Sequence, residues 1–278
     1  GIEDWTQAIE LNPDEAETYY NRGLTRVKLA DLQTTQGHVE GARALYEAGI
    51  EDWTQAIELN PDEAETYYNR GLGQFRLGEF KANQGDVEAA QQHYHGAIGD
   101  WMQMLQLDSE SAEPYMNLGA ARTNLGELKA NQGDVEAAQQ HYHGAIADST
   151  QAIERIPEDA VAYNNRGYAK YLLGKSEATA GNIAEARKLY ESAIIDSDAS
   201  IQRNSETAYA YHTRGVIKAA LGDLEGAIAD FDRAIKINPE SAADYYERGR
   251  AKAALGKKEA AEMDFKKAKE LDPEKLKE

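Results

Sequence analysis

The feature that most constrains this chain is repetition at a fixed offset. The segment Gly1 to Leu24 recurs letter for letter from Gly49 to Leu72, and the segment Lys81 to Ile98 recurs unchanged from Lys129 to Ile146. Both copies are displaced by 48 residues. Such self-similarity is the signature of an array in which each unit packs on its neighbours. The 278 residues are therefore predicted to fold by stacking, as one elongated array.

Tyrosine and glycine, four residues apart, mark the register of the array. The first five of these pairs follow one another at intervals of 48 residues, whereas the last interval is 34. The six pairs are Tyr19–Gly23, Tyr67–Gly71, Tyr115–Gly119, Tyr163–Gly167, Tyr211–Gly215 and Tyr245–Gly249. Two unit lengths are thus present, and the shorter one closes the chain.

The two short units agree with each other at seven positions. These are Tyr211, Gly215, Gly222, Ala227, Phe231, Ala234 and Pro239, then Tyr245, Gly249, Gly256, Ala261, Phe265, Ala268 and Pro273. The pattern resembles the tetratricopeptide repeat, a helix-turn-helix unit of 34 residues. The resemblance implies an all-α fold, an α-solenoid of antiparallel helix hairpins in a right-handed superhelix, and a protein of the bacterial type.

The longer units keep this frame and add one segment of 14 residues, for example Ala82 to His95. A second turn signal lies inside each addition, at Gly37, Gly85, Gly133 and Gly181. Glycine there can end one helix in the left-handed conformation, and Asp86, Asp134 or Asn182 can cap the next one. Each helix of the hairpin is therefore predicted to gain seven residues, about 10 Å.

The register gives the following expected organisation. A partial repeat, 1–15, is the second half of a helix B, where A and B denote the first and second helix of a repeat. Four long repeats follow at 16–63, 64–111, 112–159 and 160–207, then a short repeat at 208–241 and a C-terminal repeat with a cap at 242–278. Each helix A is expected to start at Pro13, Pro61, Pro157 or Pro239, since proline is well tolerated in a first turn.

Charge and composition restrict the partners. The formal net charge is -19, with no basic stripe before Gly249, so nucleic acid is not an expected partner. No apolar run reaches the roughly 20 residues that span a bilayer, so no membrane partner is expected either. The many Asp and Glu are expected on solvated outer faces. The C-terminal lysines, including Lys275 and Lys277, are expected to form a polar cap first and an anion contact second.

The resemblance also implies a binding surface. In the family, helix A lines the inner groove at positions two, five, nine and twelve of each repeat, and an Asn at position six bonds a bound peptide backbone. An amide can both donate to and accept from an extended main chain. The alternative is that these amides only tie neighbouring helices together. The candidate peptide-binding residues are Tyr20, Asn21, Tyr68, Asn69, Phe75, Met116, Asn117, Asn164, Asn165, Tyr168, Tyr171, His212 and Tyr246.

Catalytic, metal and cofactor sites are not predicted. Neither His93 and His95 nor their copies His141 and His143 have the i, i+4 spacing that chelates zinc on a helix, and a half-solvated helix face explains them more simply. The chain has no Cys, so a thiolate site is excluded. Gly71-Leu72-Gly73 lacks the third glycine of a dinucleotide-binding loop and follows no strand.

The preferred function is a non-enzymatic scaffold that binds a protein or peptide segment, neutral or basic, in the concave groove. The alternative is a self-associating array in which the half helix Gly1 to Leu11, with its stripe of Trp5, Ala8 and Ile9, docks on another copy. Because the chain begins within a repeat, the true N-terminus is expected to be missing. Natural fragment, recent duplication and engineered form stay open, as does the compartment, although the cytoplasm is the preferred expectation.

Overall fold

The computed structural model describes residues 1–273, which form thirteen α-helices and contain no β-strand. In chain order the helices are α1 (Ile2–Leu11), α2 (Ala16–Thr35), α3 (Val39–Leu59), α4 (Ala64–Asn83), α5 (Val87–Leu107), α6 (Glu113–Asn131), α7 (Val135–Arg155), α8 (Ala160–Thr179), α9 (Ile183–Arg203), α10 (Ala208–Leu221), α11 (Leu224–Ile237), α12 (Ala242–Ala254) and α13 (Lys258–Leu271).

The helices are grouped in two compact units, and the division falls within α7, after His141. In the first unit α2 pairs with α3 and α4 with α5, while α1 packs on α2, α3 on α4, and α5 on α6. In the second unit the pairs are α8–α9, α10–α11 and α12–α13, and α9 and α11 each contact the helix that follows. The predicted all-α fold of consecutive helix hairpins, a solenoid of the tetratricopeptide type, is confirmed.

The hairpins of the long repeats reverse at the glycines that the sequence indicates. Gly37, Gly85, Gly133 and Gly181 have φ between 75° and 87°. At the second of these turns the amide of Gly85 donates to the Ala82 carbonyl at 3.0 Å. The amide of Asp86 donates to the Lys81 carbonyl at 2.9 Å. These two bonds define a Schellman helix end, which requires a left-handed residue.

Two predictions of local structure are wrong. Asn182 does not cap α9, because its side-chain amide donates to Glu177 Oε2 at 2.7 Å, whereas Asp86 and Asp134 do accept bonds from the first turns of α5 and α7. The prolines do not open the A helices, which begin three residues later, at Ala16, Ala64, Ala160 and Ala242. Pro157 instead holds the second position of a turn that Asp159 N–H closes onto the Ile156 carbonyl at 3.1 Å, where its fixed φ is favourable.

The long hairpins differ from the short ones in the length of both helices. Helices α4 and α5 have 20 and 21 residues, whereas α10 and α11 have 14 each. A common contact lies at the hairpin base: a Cβ on Gly71 would be 2.5 Å from Trp101 Nε1, and one on Gly215 would be 2.7 Å from Phe231 Cε1. Glycine at this position lets an aromatic ring of helix B lie directly on the backbone of helix A.

The expectation that the acidic residues lie on solvated faces is wrong for one set of aspartates. Asp52, Asp100, Asp196, Asp230 and Asp264 are between 2% and 6% exposed, and each accepts bonds from an arginine of its own hairpin. The five closest N–O distances are all 2.6 Å; the arginines are Arg22, Arg70, Arg166, Arg214 and Arg248. A buried carboxylate needs such a partner, since an unpaired buried charge is costly.

Each of these arginines also lies over the tyrosine three residues before it. The distances from the guanidinium carbon to the ring centroid are between 5.3 and 5.8 Å, for Tyr19, Tyr67, Tyr163, Tyr211 and Tyr245. This is the range of a cation–π contact. The repeated tyrosine, glycine, arginine and aspartate therefore form one packing motif that joins helix A to helix B.

Helix α1 packs on α2, but none of its residues is buried, so Trp5 is partly exposed whereas Trp53 is only 1% exposed. Lys275 and Lys277 lie outside the described residues. In the described part of the chain no helix has the length and apolar character to cross a bilayer.

Candidate peptide-binding surface

Consecutive A helices of the first unit present a row of half-buried side chains. We call the residues at positions two, five, nine and twelve of each helix A the helix-A wall. In α2 and α4 its apolar members are Tyr20, Leu24, Val27, Tyr68, Leu72 and Phe75, all of intermediate exposure. They recur at alternating spacings of three and four residues, which places them on one face of each helix. The row offers apolar and aromatic contact area that solvent reaches.

Tyrosine and asparagine side chains connect one A helix to the next. Tyr20 Oη donates to Glu65 Oε1 at 2.7 Å, and Asn69 Nδ2 donates to Tyr20 Oη at 3.1 Å and to the Glu65 carbonyl at 2.9 Å. One repeat later, Asn117 Nδ2 donates to Tyr68 Oη at 3.3 Å. The amides of Asn69 and Asn117 thus form bonds between neighbouring A helices.

Burial and hydrogen bonding fix the protonation of these tyrosines. Burial, and then the Glu65 carboxylate, raise the pKa of Tyr20 far above its usual value. Burial also raises the pKa of Tyr68, against a smaller opposing effect of Asn117. Both hydroxyls therefore stay neutral through the physiological range, so the wall interacts through neutral phenols and amides.

Two of the candidate residues are shared between the wall and the core. The Phe75 ring lies 5.6 Å from that of Tyr94 and 6.0 Å from that of Trp101. In the second unit, Tyr171 lies 6.1 Å from Tyr168 and 5.9 Å from Tyr190. Pairs of rings at such distances stabilise each other. Phe75 and Tyr171 therefore pack against core rings and remain partly exposed on the wall.

The other candidates in the second unit occupy different environments. Asn164 is 8% exposed, and its Oδ1 has no hydrogen-bond partner among residues 1–273. His212 Nδ1 lies 2.7 Å from Oδ1 of the buried Asp244, and Tyr246 is 37% exposed, with its ring 5.6 Å from Phe265. The remaining candidates are of intermediate exposure: Asn21 and Met116 in the first unit, Asn165 in the second.

An acidic cavity lies at one end of the wall in the first unit. It has a volume of about 420 Å³ between the N-terminal ends of α2 and α4, with Tyr20 and Ala56 in its lining. Four carboxylates surround it: Glu15, Glu17, Glu63 and Glu65. Within the described residues none of the four forms an ion pair with Lys or Arg. The local charge is therefore negative and free to interact with a cation.

The histidines do not assemble a metal site. His95 and His141 have ring centroids 6.1 Å apart, and burial, followed by Lys129 and Arg122, lowers the pKa of His95. His93 Nδ1 lies 2.7 Å from Gln74 Oε1. Across the described part of the chain, no three His, Asp or Glu side chains come together in a way that could hold a metal ion.

The arginine–aspartate pairs are the part of this surface that sequence reasoning missed. Arg22 and Arg70 follow the position-six asparagines directly and anchor their helices beneath the wall. A signal for them exists: the separation from arginine to aspartate is 30 residues in long hairpins and 16 in short ones, so it changes by the length of the added segment. That constancy identifies a contact between the two helices.

Known proteins share this architecture. Models of the tetratricopeptide repeat, described as TPR repeat and Tetratricopeptide repeat, match residues 36–78 and 215–256, 245–275, and 123–204. No curated protein sequence matches the chain. The fold places the chain in the class of helix-hairpin repeat proteins. Because the matched models all describe the tetratricopeptide repeat, the chain is a tetratricopeptide repeat protein.

Solved structures resemble the chain in fold. The structure of TTC0263, a thermophilic TPR protein in Thermus thermophilus, is 17% identical, with a TM-score of 0.53 over 84% of this chain and 98% of that one. BtubC from P. vanneervenii is 17% identical, with a TM-score of 0.54 over 86% and 93%. The APC/C hetero-tetramer Cut9-Hcn1 is 12% identical, with a TM-score of 0.56 over 98% of this chain and 43% of that one. At these identities the likeness concerns the fold alone.

Proposed function

We propose that the chain is a non-enzymatic scaffold that binds a protein or peptide segment along the helix-A wall. Tetratricopeptide repeat proteins generally serve as protein–protein interaction scaffolds and are typically non-catalytic. The observation that carries the proposal is the half-buried row formed by Tyr20, Leu24, Tyr68 and Leu72, which two consecutive A helices present side by side. Rigid aromatic side chains that stay partly exposed are the type enriched in binding hot spots.

The tyrosines and asparagines have separate roles in this proposal. The bonds of Asn69 and Asn117 to Tyr20 and Tyr68 fix the phenol rings, so little side-chain entropy is lost when a ligand packs on them. The rings then supply the contact area. The acidic cavity beside Tyr20 and the net charge of -19 favour a neutral or basic ligand, with association that weakens as salt screens the carboxylates.

Peptides selected from a displayed random library test the proposal. The full chain serves as bait, and the selected peptides are measured against the wild type and the triple variant Tyr68→Ala, Asn69→Ala and Tyr168→Ala. We expect the variant to lose about tenfold or more in affinity, equivalent to roughly 1.4 kcal/mol. The selected peptides should be rich in Lys or Arg and should bind more weakly at high salt.

A control variant replaces one side chain that lies away from the wall. Ile195 is 68% exposed on α9, a B helix, so Ile195→Ala should leave the affinity unchanged. If the triple variant binds the selected peptides as tightly as the wild type, while its circular dichroism matches, the helix-A wall is not the binding surface. Acidic selected peptides would contradict the predicted charge preference.

Self-association is the second candidate, and one observation favours it. The stripe of Trp5, Ala8 and Ile9 on α1 is only partly covered, and Leu11 is 81% exposed. An apolar stripe of this kind can dock on a second copy. Sedimentation across a wide concentration range decides the question: a mass that rises with concentration in the wild type but not in Trp5→Glu supports it, and a constant monomer mass rejects it.

A further inference from the structure

The two extra turns of the long hairpins create a cavity that the helix-A wall does not include. It lies within the first unit, where residues from the C-terminal parts of α2 and α4 meet Tyr46 of α3, and its volume is about 440 Å³. We call it the tip cavity. Binding sites for small groups commonly have volumes of about 300–1,000 Å³. Because short helices such as α10 end before these turns, the cavity belongs to the long repeats.

The floor of the tip cavity is aromatic. Tyr46 is 3% exposed and belongs to the core cluster around Ala30 and Leu77, against which Phe80 also packs. The hydroxyl of Tyr46 donates to Asp31 Oδ1 at 2.6 Å, with Thr34 Oγ1 at 3.4 Å. The ring is therefore held in one orientation, with its polar atom satisfied. An apolar group that enters meets a fixed, preorganised surface.

The rim of the tip cavity carries charge of both signs, with an acidic excess. Asp31 and Glu79 contribute carboxylates, and Arg76 contributes the guanidinium. Arg76 Nη1 lies 3.1 Å from Glu79 Oε2, and the two side chains are 54% and 38% exposed. An exposed pair of this kind contributes little to stability, so it can open at small cost. The Asp31 carboxylate, which accepts the bond from the Tyr46 hydroxyl, also lines the cavity.

The next seam of the same unit has different contacts at the equivalent positions. There Asn124 stands at the position of Arg76, and its Nδ2 donates to Tyr94 Oη at 3.2 Å. Lys129 Nζ also spans to Gln91 Oε1 at 3.2 Å. In the first seam Arg76 pairs with Glu79 instead, and both side chains line the tip cavity. The polar contacts over the repeated tyrosine position therefore differ between the two seams.

We propose that the tip cavity binds one apolar side chain, aromatic or leucine-sized, of a partner segment whose adjacent residues are basic. The aromatic floor of Tyr46 and Phe80 takes the apolar side chain, and Asp31 and Glu79 attract the flanking cations. The inference deepens the proposed function and rests on it, because the occupant belongs to a polypeptide partner. It extends the contact surface from the four wall positions of a repeat into the added turns.

Blocked tripeptides probe the cavity directly. Acetyl-Lys-Phe-Lys-amide is titrated into the full ¹⁵N-labelled chain, and the amide signals of α2, α3 and α4 are followed by NMR. We expect saturable shifts confined to residues around the tip cavity. Acetyl-Lys-Ala-Lys-amide removes the apolar side chain and should give no saturable shift, while acetyl-Glu-Phe-Glu-amide reverses the charge and should bind about tenfold more weakly.

Two substitutions complete the test. Thr34→Trp places a ring in the cavity and should abolish the shifts, whereas Lys28→Trp adds the same ring to an exposed site of α2 outside the lining and should not. Matching circular dichroism spectra establish that each variant is folded.

The outcomes separate this inference from the proposed function. Equal responses to the Phe and Ala tripeptides, or binding that survives Thr34→Trp, would overturn the tip cavity as a site. The wall variant Tyr68→Ala should lose the library-selected peptides yet keep the Lys-Phe-Lys response. If the tripeptide fails while the selected peptides bind the wall, only the further inference fails; the reverse result rejects the wall and leaves the cavity.

Discussion

The long hairpin α4–α5 and the short hairpin α10–α11 use the same contacts at their bases despite different lengths. Trp101 lies against Gly71 in the first and Phe231 against Gly215 in the second. Both hairpins are then closed by an arginine–aspartate pair at 2.6 Å. The added residues all lie beyond these contacts, toward the turn. A hairpin of this chain is therefore a fixed base to which helical turns can be added.

The bases differ in how the buried carboxylate is neutralised. In the short hairpin Asp230 has two cationic partners, Arg214 at 2.6 Å and Lys218 at 2.8 Å. In the long hairpin Gln74 stands where the second cation would be, and burial raises the pKa of Asp100 despite its bonds to Arg70. The long hairpin therefore holds a less fully compensated charge, which distinguishes its base from that of the short one.

The largest effect is expected from removing the arginine. Arg70→Met leaves Asp100 buried without its cation and should destabilise the α4–α5 hairpin by about 3–5 kcal/mol, the cost of breaking a buried pair. Arg214→Met removes two bonds to Asp230 and one to the exposed Asp198 but leaves Asp230 with Lys218, so its effect should be smaller, about 1–3 kcal/mol. Hydrogen exchange followed by mass spectrometry reports the local stability of each hairpin separately.

A double variant and the relative losses of stability in the two single variants test this comparison. Replacing both members of a pair, Arg70→Met with Asp100→Leu, should recover most of the stability lost in the single variant, because no unpaired charge then remains. Equal losses in Arg70→Met and Arg214→Met would show that Lys218 does not compensate Asp230, and the proposed difference between the bases would be abandoned.

A smaller effect is expected where the ring meets the glycine. Gly71→Ala forces a methyl group to within 2.5 Å of Trp101 Nε1, so the helices must separate, at a cost of about 1–3 kcal/mol. Gly215→Ala meets Phe231 at 2.7 Å and should cost a similar amount, since the contact is common to both hairpin lengths. Thermal unfolding by calorimetry, with exchange to localise the change, measures both.

Gly99 supplies the matched control on the same hairpin. It lies exposed within α5, and a Cβ there would meet nothing within 4 Å. Gly99→Ala should stabilise the helix by roughly 0.5–1 kcal/mol, because alanine has the higher helix propensity. A destabilising Gly99→Ala, or a neutral Gly71→Ala, would contradict the assignment of the glycine–aromatic contact as the common base.

Periodicity was sufficient to predict the hairpins and their turns. The interval between the Tyr–Gly pairs and the position of Gly85 fix where helices reverse, because few residues other than glycine adopt a left-handed helix end. The burial of individual polar residues was not predicted. Asp52 looks like any other carboxylate in a chain of charge -19 unless its separation from Arg22 is compared between repeats, and the structure shows that it is only 2% exposed.

The candidate surface was predictable as a set of positions but not as a set of interactions. The wall positions follow from the resemblance to the repeat. The bond between Asn69 and Tyr20 joins residues 49 apart in sequence, and its existence depends on how closely two A helices approach. The tip cavity is lined by residues of three helices, among them Asp31, Tyr46 and Phe80, and its existence depends on how those helices pack.

The smallest effect is expected from supplying the missing cation at position 74. Other hairpins have Arg26, Lys170, Lys218 and Lys252 near the buried aspartate. At Asp264 bonds from Arg248 and Lys252 outweigh burial and leave the pKa below its usual value. Gln74→Lys should act likewise on Asp100 and stabilise the long hairpin by up to about 1 kcal/mol at neutral pH, less whatever the contact of Gln74 with His93 contributes.

The pH dependence identifies the cause of that gain. With its pKa raised, wild-type Asp100 contributes stability below the unfolded value near 3.8 and loses it as pH rises through the folded pKa. A lowered pKa in Gln74→Lys reverses the sign, so the contribution is present above 3.8 and lost in acid. Denaturant unfolding at neutral pH and near pH 4 should therefore show a gain that shrinks on acidification. A gain that is equal at both pH values would come from helix propensity instead, and the charge difference between the two bases would carry no free energy.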